Sequence, residues 1–257
     1  MTTCSPLVTV AVPSLNQGRY LHDALASIYQ QDVPVEVFVA DGGSTDETGH
    51  VIQNWLPRLA GYRSHPDDGQ SAAINESIAK GTAPYVCWLN SDDVLLPGGL
   101  RHLVEALEQH PEWPAVYGKV WNTDELLKRR RRVWTQAFSE RRLAMRCIIS
   151  QPATLIRRSS WEMIGGLREH LHMAMDYDLW WRLYRRFGPL GCVEHDIALN
   201  REHDSTKTRT QRKRHYQEAM AVVREHYGHV PIKWWLAWPA SVWLSSLRVP
   251  QSGKTTA

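Results

Sequence analysis

The apolar residues in the first half of the chain follow two patterns, short continuous runs and helical spacing, which take turns along the sequence. Largely apolar runs at 7–12, 35–40 and 85–89 predict strands, and the unbroken run at 85–89 is typical of a strand buried on both faces. Segments 20–28 and 70–80 instead follow helical spacing. Strand, loop and helix units of this length predict an α/β fold with a mostly parallel central sheet and helices on both faces.

Local signals predict further elements between and after these runs. A turn at 41–46 separates the second strand from a helix running to about Leu56, and Ser44 or Thr45 is predicted to cap that helix. The remaining predicted elements of this half are a short extended piece at 62–65, a helix near 100–107 and a strand at 115–118.

Polar loops at 13–16, 41–46 and 90–93 directly follow predicted strands. Because the carboxyl ends of parallel strands meet at one edge of a sheet, we expect these loops to line a common crevice. Asp41 offers a carboxylate acceptor for the imide N–H of a uracil or thymine ring. The neighbouring Gly42 and Gly43 would let the backbone approach such a ligand closely.

Two adjacent carboxylates, Asp92 and Asp93, end the buried run at 85–89. Their charges repel each other, so a hard divalent cation such as Mg²⁺ or Mn²⁺ is a natural partner, and it could in turn hold a diphosphate. The alternative is an Asp-rich turn that leads into a helix starting at 97–98.

Several classes of protein are disfavoured by the sequence. No G-x-G-x-x-G follows the first strand and no P-loop is present, which argues against a nicotinamide dinucleotide site or a P-loop nucleotide site. The four cysteines are far apart, which indicates neither a disulfide framework nor a zinc site and favours a reducing cytoplasm. No apolar run approaches the roughly 20 residues needed to span a bilayer.

Charge is distributed unevenly along the chain. Residues 1–118 carry a net charge of −9 and the remainder +12, although the total is only +3. The basic half suits an anionic substrate or surface, and solvated surface charge is the alternative. The densest basic stretch, at 128–132, continues in Arg141, Arg142 and Arg146; no nucleic-acid fold signature accompanies it, so a solvated loop or contact with anionic lipid is expected.

Four segments, at 12–21, 39–48, 68–75 and 88–93, resemble the successive motifs of family 2 glycosyltransferases. The resemblance implies a GT-A fold and a nucleotide-sugar donor, usually UDP-linked, whose diphosphate is bridged by Mn²⁺ or Mg²⁺. It also implies three parts of the chain, which are a nucleotide-sugar-binding half at 1–118, an acceptor-binding half with the catalytic base at 119–205, and a basic helix with a Trp-rich segment at 206–257.

The same resemblance assigns residues to the donor site and to the metal. Metal binding is expected to rest on Asp92, supported by Asp93, with His203 as a further ligand from an Arg-x-His pattern. Asn90 departs from the family, because it replaces the first Asp of the usual D-x-D. The residues implied to bind the nucleotide sugar are Pro13, Ser14, Asn16, Asp41, Gly43, Ser44, Asp68, Gln70, Asn75, Asn90, Ser91, Asp92, Gln151 and Arg201.

Asp176 is the predicted catalytic base. Leu179 and Leu183 share one helical face, which places Asp176 in the first turn of a helix, where capping is the alternative role. The resemblance puts the base at this position, although Met175 stands where the family has Glu. It also implies that the loop at 150–154 lies near the donor sugar and the acceptor.

Tryptophan is concentrated near the end of the chain, with Trp234, Trp235, Trp238 and Trp243 inside ten residues. Such a segment suits a membrane-surface anchor, and burial against the domain or a homodimer contact is the alternative. By analogy, we expect a cytoplasmic protein, peripheral at the inner face of the membrane, that acts in cell-surface polysaccharide synthesis.

The expected activity is inverting transfer of a sugar from a UDP-linked donor to a hydroxyl of a glycan or polyprenyl-diphosphate-linked acceptor, with no nucleic-acid partner. Two alternatives stay open. A sugar nucleotidyltransferase would normally carry a Gly-rich basic loop after the first strand, and 13–16 is not one. A catalytically silent binding module is the other, because Asn90 and Met175 depart from the family pattern.

Overall fold

The computed structural model of the protein describes residues 5–128, 130–204 and 206–239. Within these residues nine strands form a single sheet. The strands are β1 Val8–Ser14, β2 Val35–Asp41, β3 Gly61–Ser64, β4 Tyr85–Trp88, β5 Val94–Leu95, β6 Ala115–Thr123, β7 Arg130–Arg132, β8 Thr154–Arg157 and β9 Gly191–Arg201.

Ten α-helices surround the sheet in the same described residues. They are α1 Gly18–Tyr29, α2 Thr48–Trp55, α3 Gln70–Lys80, α4 Gly99–Gln109, α5 Glu140–Met145, α6 Arg158–Met163, α7 Met175–Phe187, α8 Lys207–Thr210, α9 Arg212–Tyr227 and α10 Ile232–Trp238. Short 3₁₀ turns lie at Leu56–Arg58 and Gln151–Ala153.

The strand order is β3-β2-β1-β4-β8-β6-β9-β5, with β7 paired to β6. Strands β1 to β4 pair in parallel, as predicted, and β6 is parallel to β9. The pairs made by β5, β7 and β8 are antiparallel. Because β6 crosses residue 118, the two predicted halves of the chain share one sheet.

Apolar layers cover both faces of this sheet, as the fold prediction requires. In β1, Val10 and Val12 belong to a core formed with α1, α2 and α4, whereas Ala11 belongs to a second core formed with α3, α6, α7 and α9. Successive side chains of a strand point to opposite faces, so a strand covered on both sides must be apolar throughout. This explains the absence of polar alternation in β1 and β4.

One predicted detail of the first half is wrong. Neither Ser44 nor Thr45 caps α2, whose first residue is Thr48. Instead, the Asp46 carboxylate accepts from the backbone N–H of Thr48 at 3.0 Å, and also from that of Gly18 at 3.0 Å. Asp46 therefore joins the start of α2 to the start of α1.

The Trp-rich segment is described as far as residue 239, so Trp243 lies outside the described residues. Trp234 packs inward and donates from Nε1 to the carbonyl of Ala144 at 2.8 Å. Trp235 is 54% exposed and Leu236 73% exposed. In the described part of the chain, no helix combines the length and the apolar character required to cross a membrane.

Candidate functional site

A cavity of about 490 Å³ opens where the loops after β1, β2 and β4 meet the start of α7. Eleven of the residues predicted from the sequence line it together, including the base candidate and both carboxylates of the Asp pair. They are Pro13, Ser14, Asn16, Gln70, Asn90, Ser91, Asp92, Asp93, Gln151, Asp176 and Arg201.

A row of side-chain amides crosses the floor of this cavity. Gln70 Nε2 donates to Asn90 Oδ1 at 2.8 Å, and Asn90 Nδ2 lies 3.4 Å from Gln151 Oε1. Gln151 Nε2 in turn donates to the carbonyl of Trp88 at 2.7 Å. The row joins α3, the end of β4 and the 3₁₀ turn at Gln151–Ala153, so it fixes the loop that carries the Asp pair.

Asn90 occupies the centre of this row because it is both a donor and an acceptor. Its Oδ1 accepts from Gln70, while its Nδ2 donates towards Asp93 Oδ2 at 3.3 Å and Gln151 Oε1. A carboxylate at this position has no donor and would face two acceptor oxygens. The departure from the family's D-x-D is therefore matched by its surroundings.

Asp92 and His203 form the pair best suited to a divalent cation. Asp92 Oδ2 lies 2.9 Å from His203 Nε2, and the imidazole, only 3% exposed, packs on Tyr20 with ring centroids 4.9 Å apart. Neighbouring ligands of one octahedral ion at about 2.1 Å stand about 3 Å apart, so both atoms fit one coordination sphere. A carboxylate with an imidazole is a suitable donor set for Mn²⁺.

Asp93 is turned away from that pair. It is 2% exposed, and its Oδ1 accepts from the backbone N–H of Arg201 at 3.2 Å. Burial and the neighbouring Asp92 raise the pKa of Asp93 well above its ordinary value. In this position Asp93 ties the Asp pair to β9. Its role in supporting a metal ion stays a prediction.

Arg201 is buried beneath the Asp pair. Its Nε donates to the carbonyl of Asp92 at 3.0 Å, its Nη1 to the carbonyl of Glu125 at 2.6 Å, and its Nη2 to Asp23 Oδ2 at 2.8 Å. The guanidinium also lies over the ring of Tyr20, 4.7 Å from the centroid. Although Arg201 borders the cavity, these hydrogen bonds go to the protein, and they brace the backbone that carries Asp92.

Asp41 and Ser44 do not line the cavity. Asp41 is 1% exposed and accepts from the backbone N–H of Ser44 at 3.2 Å and from the Ser64 hydroxyl at 2.5 Å. The Ser44 hydroxyl donates to Asp41 and accepts from the backbone N–H of Asn16 at 2.7 Å. Asp41 and Ser44 therefore hold the loop after β2 in place. Through its bond to Ser44, Asn16, which lines the cavity, is held as well.

His203, which reaches Asp92, and three more predicted residues also lie outside the cavity lining. Asn75 is bonded in both directions to the backbone of Leu167, at 2.9 Å each way, so it holds the turn before α7. Gly43 has a φ of +87° and packs on Pro66. Asp68 is exposed, and its neighbour Asp67 lines the cavity instead, held by Arg63 at 2.9 Å.

Asp176 lies in the first turn of α7 and borders the cavity. Its Oδ1 accepts from the backbone N–H of Tyr177 at 2.8 Å. Burial raises the pKa of Asp176 to about 6, partly offset by that N–H. The N-cap position itself belongs to Ala174, yet Asp176 satisfies one first-turn N–H, so the geometry is compatible with a helix-stabilising role beside the predicted one.

The loop before α7 is held by a residue that the sequence did not single out. Glu218 of α9 accepts with one oxygen, Oε2, from three consecutive backbone N–H groups, those of His172 at 3.0 Å, Met173 at 2.7 Å and Ala174 at 3.2 Å. Burial would raise the pKa of Glu218, but these bonds and Arg214 hold it below its ordinary value. Glu218 thereby fixes the start of the helix that carries Asp176.

Lys207 is the cation of the cavity that sequence reasoning missed. It lines the cavity from α8, and its Nζ donates to Gln70 Oε1 at 2.8 Å. The Lys207 ammonium therefore extends the amide row at Gln70, the residue that is bonded to Asn90. Lys207 lies 32 residues after the first residue of α7, and nothing in the sequence around it indicates a site residue. Only the fold brings α8 close to α3.

Among the described residues, one group of three metal-ligating side chains also clusters away from this cavity, namely Asp178, Glu225 and His226. Asp178 already accepts from Arg182 Nε at 2.7 Å and from His226 Nε2 at 2.9 Å. Burial would raise the pKa of Asp178, but these partners outweigh it and lower the pKa. The group is an ion-pair network that holds α7 to α9.

Sequence comparison relates the chain to known glycosyltransferases. The family model described as Glycosyl transferase family 2 matches residues 9–164, which is more than half of the chain. The chain is 25% identical over 221 residues to an uncharacterized glycosyltransferase of Rickettsia typhi, covering 81% of this chain and 68% of that protein.

Longer relatives match over only part of their length. The chondroitin synthase of Pasteurella multocida is 27% identical over 220 residues, which is 82% of this chain but 22% of that enzyme. The hyaluronan synthase of Pasteurella multocida is 26% identical, again over 82% of this chain and 22% of the relative. The chain thus spans about a fifth of the length of these two relatives.

Two solved structures share the fold. Staphylococcus aureus TarS in complex with UDP-GlcNAc superposes with a TM-score of 0.70 at 17% identity, covering 86% of this chain and 66% of that one. The mannosyltransferase PcManGT of Pyrobaculum calidifontis, in complex with GDP-Man and Mn²⁺, gives 0.69 at 19% identity, covering 95% and 74%. The fold is therefore GT-A, as the motifs implied.

Proposed function

Because the chain belongs to glycosyl transferase family 2, we propose that it transfers a sugar, with inversion, from a nucleotide donor to an acceptor hydroxyl. The observation that carries this proposal is the common cavity of Asp92 and Asp176. In this proposal Asp92 faces the donor diphosphate, and Asp176 borders the same space. Donor and acceptor can therefore meet between them.

On the donor side, Asp92 and His203 would hold a Mn²⁺ or Mg²⁺ ion. When bound, such an ion neutralises negative charge on a nucleotide diphosphate. Lys207 adds a cation from the protein itself, on the amide row that leads from Gln70 to Asn90. Arg201 and Asp93 keep Asp92 in place from below.

On the acceptor side, Asp176 removes the proton from the attacking hydroxyl. The oxygen then bonds to the anomeric carbon as the bond to the nucleotide diphosphate breaks, so the configuration of that carbon inverts. A pKa near 6 suits this role, because the carboxylate is ionised at neutral pH yet more basic than an exposed Asp. The proton ends on Asp176 and the negative charge leaves with the diphosphate.

We propose UDP as the nucleotide, as the sequence motifs imply, and the fold relative TarS was solved with UDP-GlcNAc. The acceptor is proposed to be a glycan or a lipid-linked saccharide in cell-surface polysaccharide synthesis. The chondroitin and hyaluronan synthases among the relatives support that setting. We also propose peripheral contact with a membrane through the exposed side chains of α10, such as Trp235.

The test is release of free nucleotide diphosphate from a panel of UDP-sugars and GDP-sugars in the presence of Mn²⁺. We expect release from at least one donor, abolished by Asp176→Asn in the presence of an acceptor glycan. Nucleotide binding should survive Asp176→Asn but weaken in Asp92→Ala. Full transfer by Asp176→Asn would remove the assignment of the base, and donor release unaffected by Asp92→Ala would remove the donor site.

A further inference from the structure

A second cavity, of about 720 Å³, lies on the far side of Asp176. Its wall comes from β6, β9, the residues after α5, and helices α8 to α10. It shares four lining residues with the first cavity, of about 490 Å³, which we call the donor cavity. The shared residues are Asp176, Asn200, Thr206 and Thr208. The two spaces therefore meet at the proposed base, which is where an acceptor has to enter.

Positive charge dominates this second cavity. Its cationic lining residues are Arg131, Arg146, Arg209, Arg212 and Lys233, and its carboxylates are Asp176 and Glu202. Glu202 is already engaged, since Oε1 accepts from Asn122 Nδ2 at 2.6 Å and lies 3.4 Å from Arg131. The lining thus carries more positive than negative side chains, and one of its two carboxylates is already bound.

Three of these cations have no carboxylate partner anywhere in residues 5–128, 130–204 and 206–239. Arg209 pairs with Asp204 at 3.1 Å, whereas Arg146, Arg212 and Lys233 take part in no ion pair there. Burial lowers the pKa of His215 in the same wall, and the neighbouring Arg212 lowers it further, against a smaller opposing effect of Glu218. Unmatched cations that converge on a cavity favour an anionic ligand.

We propose that this second cavity binds a phosphate or diphosphate group of the acceptor and thereby presents the acceptor hydroxyl to Asp176. The inference rests on the proposed transfer reaction and adds the chemical class of its acceptor. Arginine side chains recognise phosphate oxygens through two parallel N–H donors, and lysine adds a point charge. The aromatic rings of Tyr216 and Trp234, in the same wall, offer apolar surface to the rest of the acceptor.

The phosphate can belong to a lipid-linked saccharide or to a water-soluble phosphorylated glycan. Helix α10 connects the cavity to an exposed apolar surface, because Lys233 and Trp234 face the cavity while Ile232 and Leu236 are each 73% exposed. A lipid chain leaving the cavity would meet that surface. The experiment therefore includes a vesicle arm beside the soluble one.

The direct test is binding of inorganic pyrophosphate to the full chain by calorimetry, with EDTA present so that no divalent ion contributes. We expect Arg212→Gln and Lys233→Gln each to weaken binding by about tenfold, the cost of losing one charged hydrogen bond. Arg224→Gln is the matched control, because Arg224 lies on the same helix as Arg212, is exposed and does not line the cavity. Circular dichroism and melting temperature verify that each variant folds.

Unchanged affinity in both Arg212→Gln and Lys233→Gln overturns the proposal, and so does an equal loss in Arg224→Gln. Loss of binding confined to Lys207→Gln overturns it too, because pyrophosphate would then occupy the donor cavity. Tighter binding of glucuronate than of pyrophosphate would assign the cavity to a carboxylate. Donor hydrolysis by the wild-type protein is measured separately, so a failed transfer reaction and a failed anion site give different results.

The source of the phosphate follows from a second comparison. Phosphatidylcholine vesicles carrying undecaprenyl phosphate are tested for co-sedimentation with the protein, beside glucose 1-phosphate in solution. Co-sedimentation that Arg212→Gln and Lys233→Gln reduce, but Arg224→Gln does not, supports a lipid-linked acceptor. If glucose 1-phosphate competes with pyrophosphate and the protein does not co-sediment with vesicles, the acceptor is a soluble phosphorylated glycan. If the wild-type protein shows neither competition nor co-sedimentation, the proposal that the cavity binds an acceptor phosphate is overturned.

Discussion

Burial gives Asp176 a titration that can be seen in the reaction rate. Its pKa of about 6 lies above that of an exposed Asp, and the groups beside it, the Tyr177 hydroxyl and the Cys147 thiol, have pKa values raised by burial and so stay neutral near pH 7. Only the ionised carboxylate accepts a proton. We expect kcat to fall about tenfold per pH unit below pH 6 and to level off above pH 7.

The same pKa shift has a consequence for stability. A carboxyl group whose pKa is higher in the folded protein than in the unfolded chain favours folding when protonated, and this contribution is lost as the pH rises through 6. Asp176→Asn removes the cost of burying the charge. We expect the variant to be about 1–2 kcal/mol more stable than wild type in urea unfolding at pH 8, with no difference near pH 3. Equal stability at pH 8 would contradict the raised pKa.

Asn90 allows a second test at the scale of one side chain. Its Nδ2 donates towards Asp93 and Gln151, so Asn90→Asp replaces two hydrogen bonds with two contacts between acceptor oxygens. We expect a loss of about 1–3 kcal/mol in the free energy of unfolding, measured in EDTA. Asn54→Asp is a suitable control, since Asn54 is an exposed Asn of α2 and does not line the 490 Å³ cavity. An Asn90→Asp protein as stable as wild type would show that the amide row is not needed.

At the scale of elements, helix α7 depends on a neighbouring helix for its position. The Glu218 carboxylate of α9 collects three backbone N–H groups from the loop before Met175. We expect Glu218→Ala to lower the free energy of unfolding by about 1–3 kcal/mol and to lower kcat, with partial rescue by Glu218→Gln, which keeps an acceptor oxygen. Rescue of stability without rescue of kcat would contradict a role in positioning Asp176.

The elements themselves could be predicted from the sequence to different degrees. Strand β4 and helix α3 follow from local apolar patterns, and the structure confirms them. The support from Glu218 could not be predicted, because it joins residues 44 or more positions apart through backbone N–H groups, which leave no mark in the sequence. The contact at the start of α2 is local, from Asp46 to Thr48, whereas the bond from Gly18 of α1 to the same carboxylate spans 28 residues and leaves no local signal.

The site shows the same limit. Motifs single out Asp92 and Asp176, each at a local strand end or helix start, and both residues line one cavity. They also named Asn75 and Asp41, which belong to the same segments but turn their polar atoms into the protein. A motif identifies a segment, whereas packing decides which of its side chains reach the solvent.

At the scale of the whole molecule, the pair of Asp92 and His203 joins the first half of the sheet to the end of β9, so a bound ion should stabilise the entire fold. Any ligand that binds only the folded state raises its stability, by about 2.7 kcal/mol at a concentration a hundred times its dissociation constant. We therefore expect Mn²⁺ to raise the melting temperature and EDTA to reverse the rise. Because one ligand is an imidazole, Mn²⁺ should act at lower concentration than Mg²⁺. We expect His203→Ala to abolish the effect of Mn²⁺ on the melting temperature. His229→Ala, a variant of an exposed histidine, is the control and should leave that effect intact. If the Mn²⁺ effect survives in His203→Ala but is lost when Asp178 is replaced, the metal binds between α7 and α9 and not at Asp92.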